Sequence, residues 1–146
     1  MSENSGASSV NTRPRSRPEF RNIDNIAQIL AHRLPPAGVV SILHRVSGVL
    51  MFLVGIPFVL YLFQQSITSE ISFEQYRAIT GHWFGKLLLL ALAWAFAHHF
   101  CSGIRFLALD LHWGIQKEQA QKSAYGVFGA SAVLTFLAAL KIFGVF

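Results

Sequence analysis

Residues 39–64 read VVSILHRVSGVLMFLVGIPFVLYLFQ. A helix rises about 1.5 Å per residue, so about 20 apolar residues cross the roughly 30 Å hydrocarbon core of a bilayer. This stretch is longer than that. Two others match it, WFGKLLLLALAWAFAHHFCSGIRFLAL at 83–109 and AYGVFGASAVLTFLAALKIFGVF at 124–146. None alternates apolar and polar residues as a barrel strand does. The fold class expected is therefore an all-α membrane protein: three transmembrane helices over 39–64, 83–109 and 124–146, preceded by a polar N-terminal tail. By domain, 1–37 is the tail and 38–146 the three-helix anchor.

Composition agrees. Of 146 residues, 53% are hydrophobic and only 13% charged, about half the charged share of a soluble domain. So short a chain cannot hide that much apolar surface from water. The net charge of +5 does not signal nucleic acid, because the basic residues Arg13, Arg15, Arg17, Arg21 and Arg33 all precede the first apolar run. One cysteine, Cys101, excludes an internal disulfide and any multi-cysteine metal site.

The tail MSENSGASSVNTRPRSRPEF has no apolar core of a signal peptide. It reads as a disordered tail rather than an amphipathic transit peptide. LPPAG at 34–38 breaks the chain before the first span, 66–81 leaves room for a short amphipathic helix at the interface, and 110–123 separates the second and third spans. Arginine and lysine crowd the tail and the 110–123 loop, whereas 66–81 carries only Arg77. The positive-inside bias then puts the N-terminus on the cytoplasmic or matrix side. The expected location is the bacterial cytoplasmic membrane, with the mitochondrial inner membrane as the alternative.

Within the spans, polar residues fall on stripes. Ser41, His44, Arg45 and Gly48 share a helix face by their i, i+3, i+4, i+7 spacing. An arginine at a helix end commonly snorkels to phosphate; three converging polar side chains argue for a binding surface instead. Arginine offers a planar fork of donors and serine a small donor and acceptor. On the second span His99, Gly103, Phe106 and Asp110 share one face, and His98, Ser102 and Arg105 the next. His99 lies eleven residues before Asp110, roughly 16 Å into the membrane. A histidine there with a glycine one turn away suits an axial haem ligand beside a flat macrocycle. His98 is the rival, since adjacent residues cannot both reach one iron from one side. A second axial ligand would come from a partner chain, because His44 lies near the membrane surface. No nucleophile–base pair, carboxylate pair, phosphate loop or dinucleotide fingerprint is present. The isolated chain is not expected to be catalytic.

SILHRVSG at 41–48 resembles the S-x-x-H-R-x-[ST]-G signature of the cytochrome b subunit of succinate dehydrogenase, the larger membrane anchor of respiratory complex II. HHFCSGIRFLALD at 98–110 is similar to that family's H-x-x-x-G-x-R-H-x-x-x-D motif, and the resemblance runs from about residue 18 to 146. It implies haem b held by His99, with His98 as the fallback. It also implies haem-propionate contacts from His44 and Arg45, and a ubiquinone site lined by Ser41 and Arg45. The partners it implies are a second, smaller anchor subunit supplying the other axial histidine, an iron–sulfur subunit and a flavoprotein subunit carrying FAD. The chain departs from the family at Phe106, where a histidine is usual; any auxiliary role of that histidine is absent or moved. The rival readings are a fumarate reductase anchor, and a non-redox membrane scaffold or transporter subunit.

Overall fold

A computed structural model describes residues 34–145. The proposed tail, with Arg13 to Arg33, lies almost wholly outside them. Helix α1 runs Pro36–Thr68, α2 Glu70–Gly81, α3 Trp83–Asp110 and α4 Lys117–Ile142. The long helices α1, α3 and α4 are each long and apolar enough to span a bilayer. The described chain contains no strand. This is the all-α, three-span membrane architecture expected.

Each boundary has a local cause. Pro35 and Pro36 open α1, where a proline's missing N–H costs nothing. Ser69 caps α2 reciprocally: its hydroxyl accepts from Ser72 N–H at 3.2 Å, and Ser72 Oγ accepts from Ser69 N–H at 2.9 Å. The helix expected at the interface is thus present. Its C-terminus packs on the start of α3, where Gly85 lies so close to the Ile79 carbonyl that a Cβ would overlap it. α3 ends in a Schellman motif: Trp113 N–H donates to Ala108 O, His112 N–H donates to Leu109 O, and His112 holds φ 62°. α4 ends likewise, with Gly144 at φ 74°.

Two departures are instructive. α4 begins at Lys117, seven residues before the expected 124, because KEQAQKS consists mainly of good helix formers that need no lipid. α1 is irregular just ahead of Pro57, with a π-helical turn over Met51–Gly55 in which Ile56 N–H donates to the Met51 carbonyl.

All three long helices touch one another. α1 and α3 run antiparallel, as shown by the succession His44 beside Gly103, Gly48 beside His99 and Gly55 beside Leu92. The enclosed core is small and mixed. Val40, Leu62, Leu92, Ala95, Ala97, Ala124 and Val127 are buried, and so are the polar Ser47, His98, Ser102, Arg105 and Ser131. Most large apolar side chains face outward instead, with Phe52 69% and Phe96 65% exposed. Such a surface requires lipid or apolar protein around it. Gly126 and Ala130 are exposed within the described chain, while α4 buries Ala124, Val127 and Ser131.

Candidate functional site

The two stripes of α3 separate cleanly. His98, Ser102 and Arg105 turn inward. Arg105 Nε donates to Ser123 Oγ at 3.0 Å and its NH2 to the Ala120 carbonyl at 3.1 Å, tying α3 to the first turns of α4. The His98 ring stacks near Trp94, with centroids 5.7 Å apart, and tilts against Phe128 on α4 at 5.9 Å. His98 is only 1% exposed, and neither its Nε2 nor Ser102 Oγ has a hydrogen-bond partner among the described residues.

The stripe of His99, Gly103 and Phe106 faces α1. The rings of His99 and His44 stack with centroids 4.0 Å apart and planes 16° apart. Phe106 tilts against the other side of His44 at 5.1 Å, so the imidazole of His44 is held between the two. Stacked rings cannot aim nitrogens at one metal from opposite sides, so His44 is not a trans partner to His99 in this arrangement.

His99 is oriented by α1. Its Nδ1 lies 3.0 Å from the main-chain carbonyl of His44 and 3.3 Å from Ser47 Oγ. A carbonyl oxygen only accepts, so the contact calls for the proton on Nδ1, which in the neutral ring leaves the lone pair on Nε2. Gly48 makes this approach possible: a Cβ there would come 3.0 Å from His99 Cε1. Beside Gly103 there is space, with His44 Nε2 the nearest atom to an added Cβ at 3.9 Å. His99 is half-buried, and its Nε2 makes no hydrogen bond among the described residues.

The rest of the first stripe divides. Ser41 is half-buried and Arg45 is exposed, and neither side chain hydrogen-bonds within the described chain. Asp110 is exposed at the end of α3. Sequence reasoning gave no role to Ser47, which is fully buried and touches His99. The serine-or-threonine position of the signature at 41–48, which Ser47 fills one turn beyond His44, was the available signal. Outward of the site, Met51, Gly55, Val59, Leu92 and Phe96 line an apolar groove of about 590 Å³ between α1 and α3.

Residues 19–138 match the family of succinate dehydrogenase/fumarate reductase transmembrane subunits. The chain belongs to this family. It is 30% identical over 112 residues to the succinate dehydrogenase cytochrome b556 subunit of Paracoccus denitrificans, covering 77% of this chain and 85% of that one. To the subunit of the same name from Coxiella burnetii it is 34% identical over 110 residues, 74% of this chain and 86% of that one. The resemblance carried by SILHRVSG and HHFCSGIRFLALD thus holds across the three spans. A subunit of an enzyme complex, integral to a membrane, replaces the scaffold and transporter readings.

Proposed function

We propose that this chain is the membrane anchor of a succinate dehydrogenase that holds haem b through His99 and helps to form a ubiquinone-reducing site. The observation that carries the reading is the His99 imidazole, whose Nδ1 is engaged by α1 while Nε2 is left without a partner. No group of three or more metal-binding side chains occurs among the described residues. A bare ion would need several protein ligands, whereas an iron already held by a porphyrin needs only axial ones. The relatives' name, cytochrome b556, supports the same group. Haem b supplies a one-electron acceptor in the membrane.

His99 would hold the iron, and a second anchor subunit would give the other axial histidine. His98 fits less well, since it is enclosed between α3 and α4 and a macrocycle would have to part them. His44, beside His99, and Arg45, one residue on, would neutralise propionates. Ser41 and Arg45, one turn apart at the inner end of α1, would hydrogen-bond the quinone carbonyls and favour the negative charge that develops there. Electrons would come from an iron–sulfur subunit, fed by FAD in a flavoprotein subunit, on the face carrying the first turn of α1 and the α3–α4 loop. That face is the cytoplasmic one in a bacterial membrane, or the matrix face in a mitochondrial one. The relatives from Paracoccus denitrificans and Coxiella burnetii are both named for succinate dehydrogenase, which supports succinate oxidation as the direction.

A dithionite-reduced minus oxidised spectrum of the purified complex tests the haem. A b-type band is expected in the wild type and a disturbed one in His99→Leu; an unaltered band in the variant would remove His99 from the iron. Ser41→Ala and Arg45→Leu are expected to lower quinone reduction while sparing succinate oxidation by an artificial acceptor. Full quinone turnover in both would exclude them from the site.

A further inference from the structure

Ser47 belongs to neither polar stripe read from the sequence, yet it sits at the centre of the α1–α3 contact. Its hydroxyl donates to the His44 carbonyl at 2.9 Å and lies 3.3 Å from His99 Nδ1. The same carbonyl lies 3.0 Å from Nδ1. These three atoms form a closed triangle, and one placement of the protons satisfies every contact in it. The serine hydrogen goes to the carbonyl, so toward His99 the serine oxygen presents a lone pair. Both atoms facing Nδ1 therefore accept, and both favour the Nδ1–H tautomer. A deprotonated Nδ1 would set its lone pair against the carbonyl oxygen, with only one hydroxyl hydrogen to share between them.

We infer that Ser47 is a positioning residue: with the His44 main-chain carbonyl it fixes the tautomer and rotation of the His99 ring, so that Nε2 is held as a metal ligand. The inference rests on the haem reading above. Two anchors on one nitrogen restrain rotation about the Cβ–ring bond better than one. Partners of this kind on the far nitrogen of a ligating histidine set both its orientation and its basicity, and their loss typically weakens metal binding about 10- to 100-fold. Ser47 is fully buried, so no water can take over from its hydroxyl without a rearrangement of the helix pair. The carbonyl cannot be removed by mutation. Ser47 is the part of the device that sequence controls, and a threonine there would keep the hydroxyl.

The test uses the intact, purified complex with Ser47→Ala and Ser47→Thr. Ser47→Ala is expected to shift or broaden the low-spin ferric electron paramagnetic resonance signal, which reports ring orientation at the iron. It is also expected to release haem to an excess of a haem-scavenging apoprotein on the order of 10-fold faster. Ser47→Thr is expected to restore both. A role confined to helix packing would leave the resonance of the bound fraction unmoved. A wild-type b-type spectrum with an Ser47→Ala resonance and release rate equal to wild type would overturn the role of Ser47 alone. A wild-type complex without a b-type spectrum would overturn the haem reading and this inference together.

Discussion

Arg105 on α3 spans to α4 with two hydrogen bonds, one to the Ser123 hydroxyl at 3.0 Å and one to the Ala120 carbonyl at 3.1 Å. Its side chain is 7% exposed. Arg105→Leu removes both bonds, and interhelical bonds in membranes contribute about 1 kcal/mol each. A loss of about 1–2 kcal/mol is expected, read as a lower melting temperature of the detergent-solubilised complex. Arg105→Lys should recover only part, because an ammonium lacks the planar fork that reaches both acceptors. A melting profile equal to wild type in Arg105→Leu would show that the α3–α4 seam does not depend on this side chain.

Two glycines of α1 face α3 and should respond differently. At Gly48 an added Cβ would meet the His99 ring at 3.0 Å; at Gly55 it would meet Leu92 Cδ2 at 3.3 Å. The first neighbour is a ring tied down at Nδ1, the second the tip of a flexible side chain. Gly48→Ala is expected to cost about 1–3 kcal/mol at the helix contact and to lower haem content per complex, measured as pyridine haemochrome. Gly55→Ala should leave haem content unchanged. Equal effects would mean that the ring is free to move away.

At Gly85 the obstacle is backbone rather than side chain. A Cβ would overlap the Ile79 carbonyl, so α2 would have to shift away from α3. Gly85→Ala is expected to destabilise by about 3 kcal/mol, the upper end of the range for overpacking. Proteolysis within 69–82 should accelerate in the variant. Resistance equal to wild type would show that α2 re-docks without cost.

His112 occupies the left-handed position that closes α3, with φ 62°, where α4 uses Gly144. A side chain in that region costs about 1–2 kcal/mol, of which part returns as glycine's greater freedom in the unfolded chain. His112→Gly is therefore expected to raise stability by about 0.5–1 kcal/mol, seen as a higher melting temperature. A fall would reveal a contact of the imidazole that outweighs its strain.

The architecture was legible because lipid imposes one simple demand, long apolar helices, and 39–64, 83–109 and 124–146 meet it plainly. Helix ends were less so. Hydropathy marks where hydrocarbon begins, whereas α4 starts at Lys117 among residues that favour helix in water. The two faces of α3 followed from the 100° step between His98 and His99, and the structure turns them toward different neighbours. Ser47 escaped notice because its partners are a main-chain carbonyl and a residue 52 positions away, neither visible in local spacing.

The π turn at Met51–Gly55 divides α1 into two registers. His44, Ser47 and Gly48 lie before it, and Val59 and Leu60 of the outer groove lie after it. A turn closed by an i→i−5 bond holds one residue more than an α turn, so deleting one residue there would return α1 to regular winding. The outer half would then keep nearly its present azimuth, because the wider turn takes up the extra residue instead of passing a roughly 100° step down the helix. The imidazole of His99 would keep its seat on Gly48, and Val59 and Leu60 would still border the groove. The π turn thus lets α1 carry one residue more than a regular helix without turning the groove away from the face that holds the histidine pair.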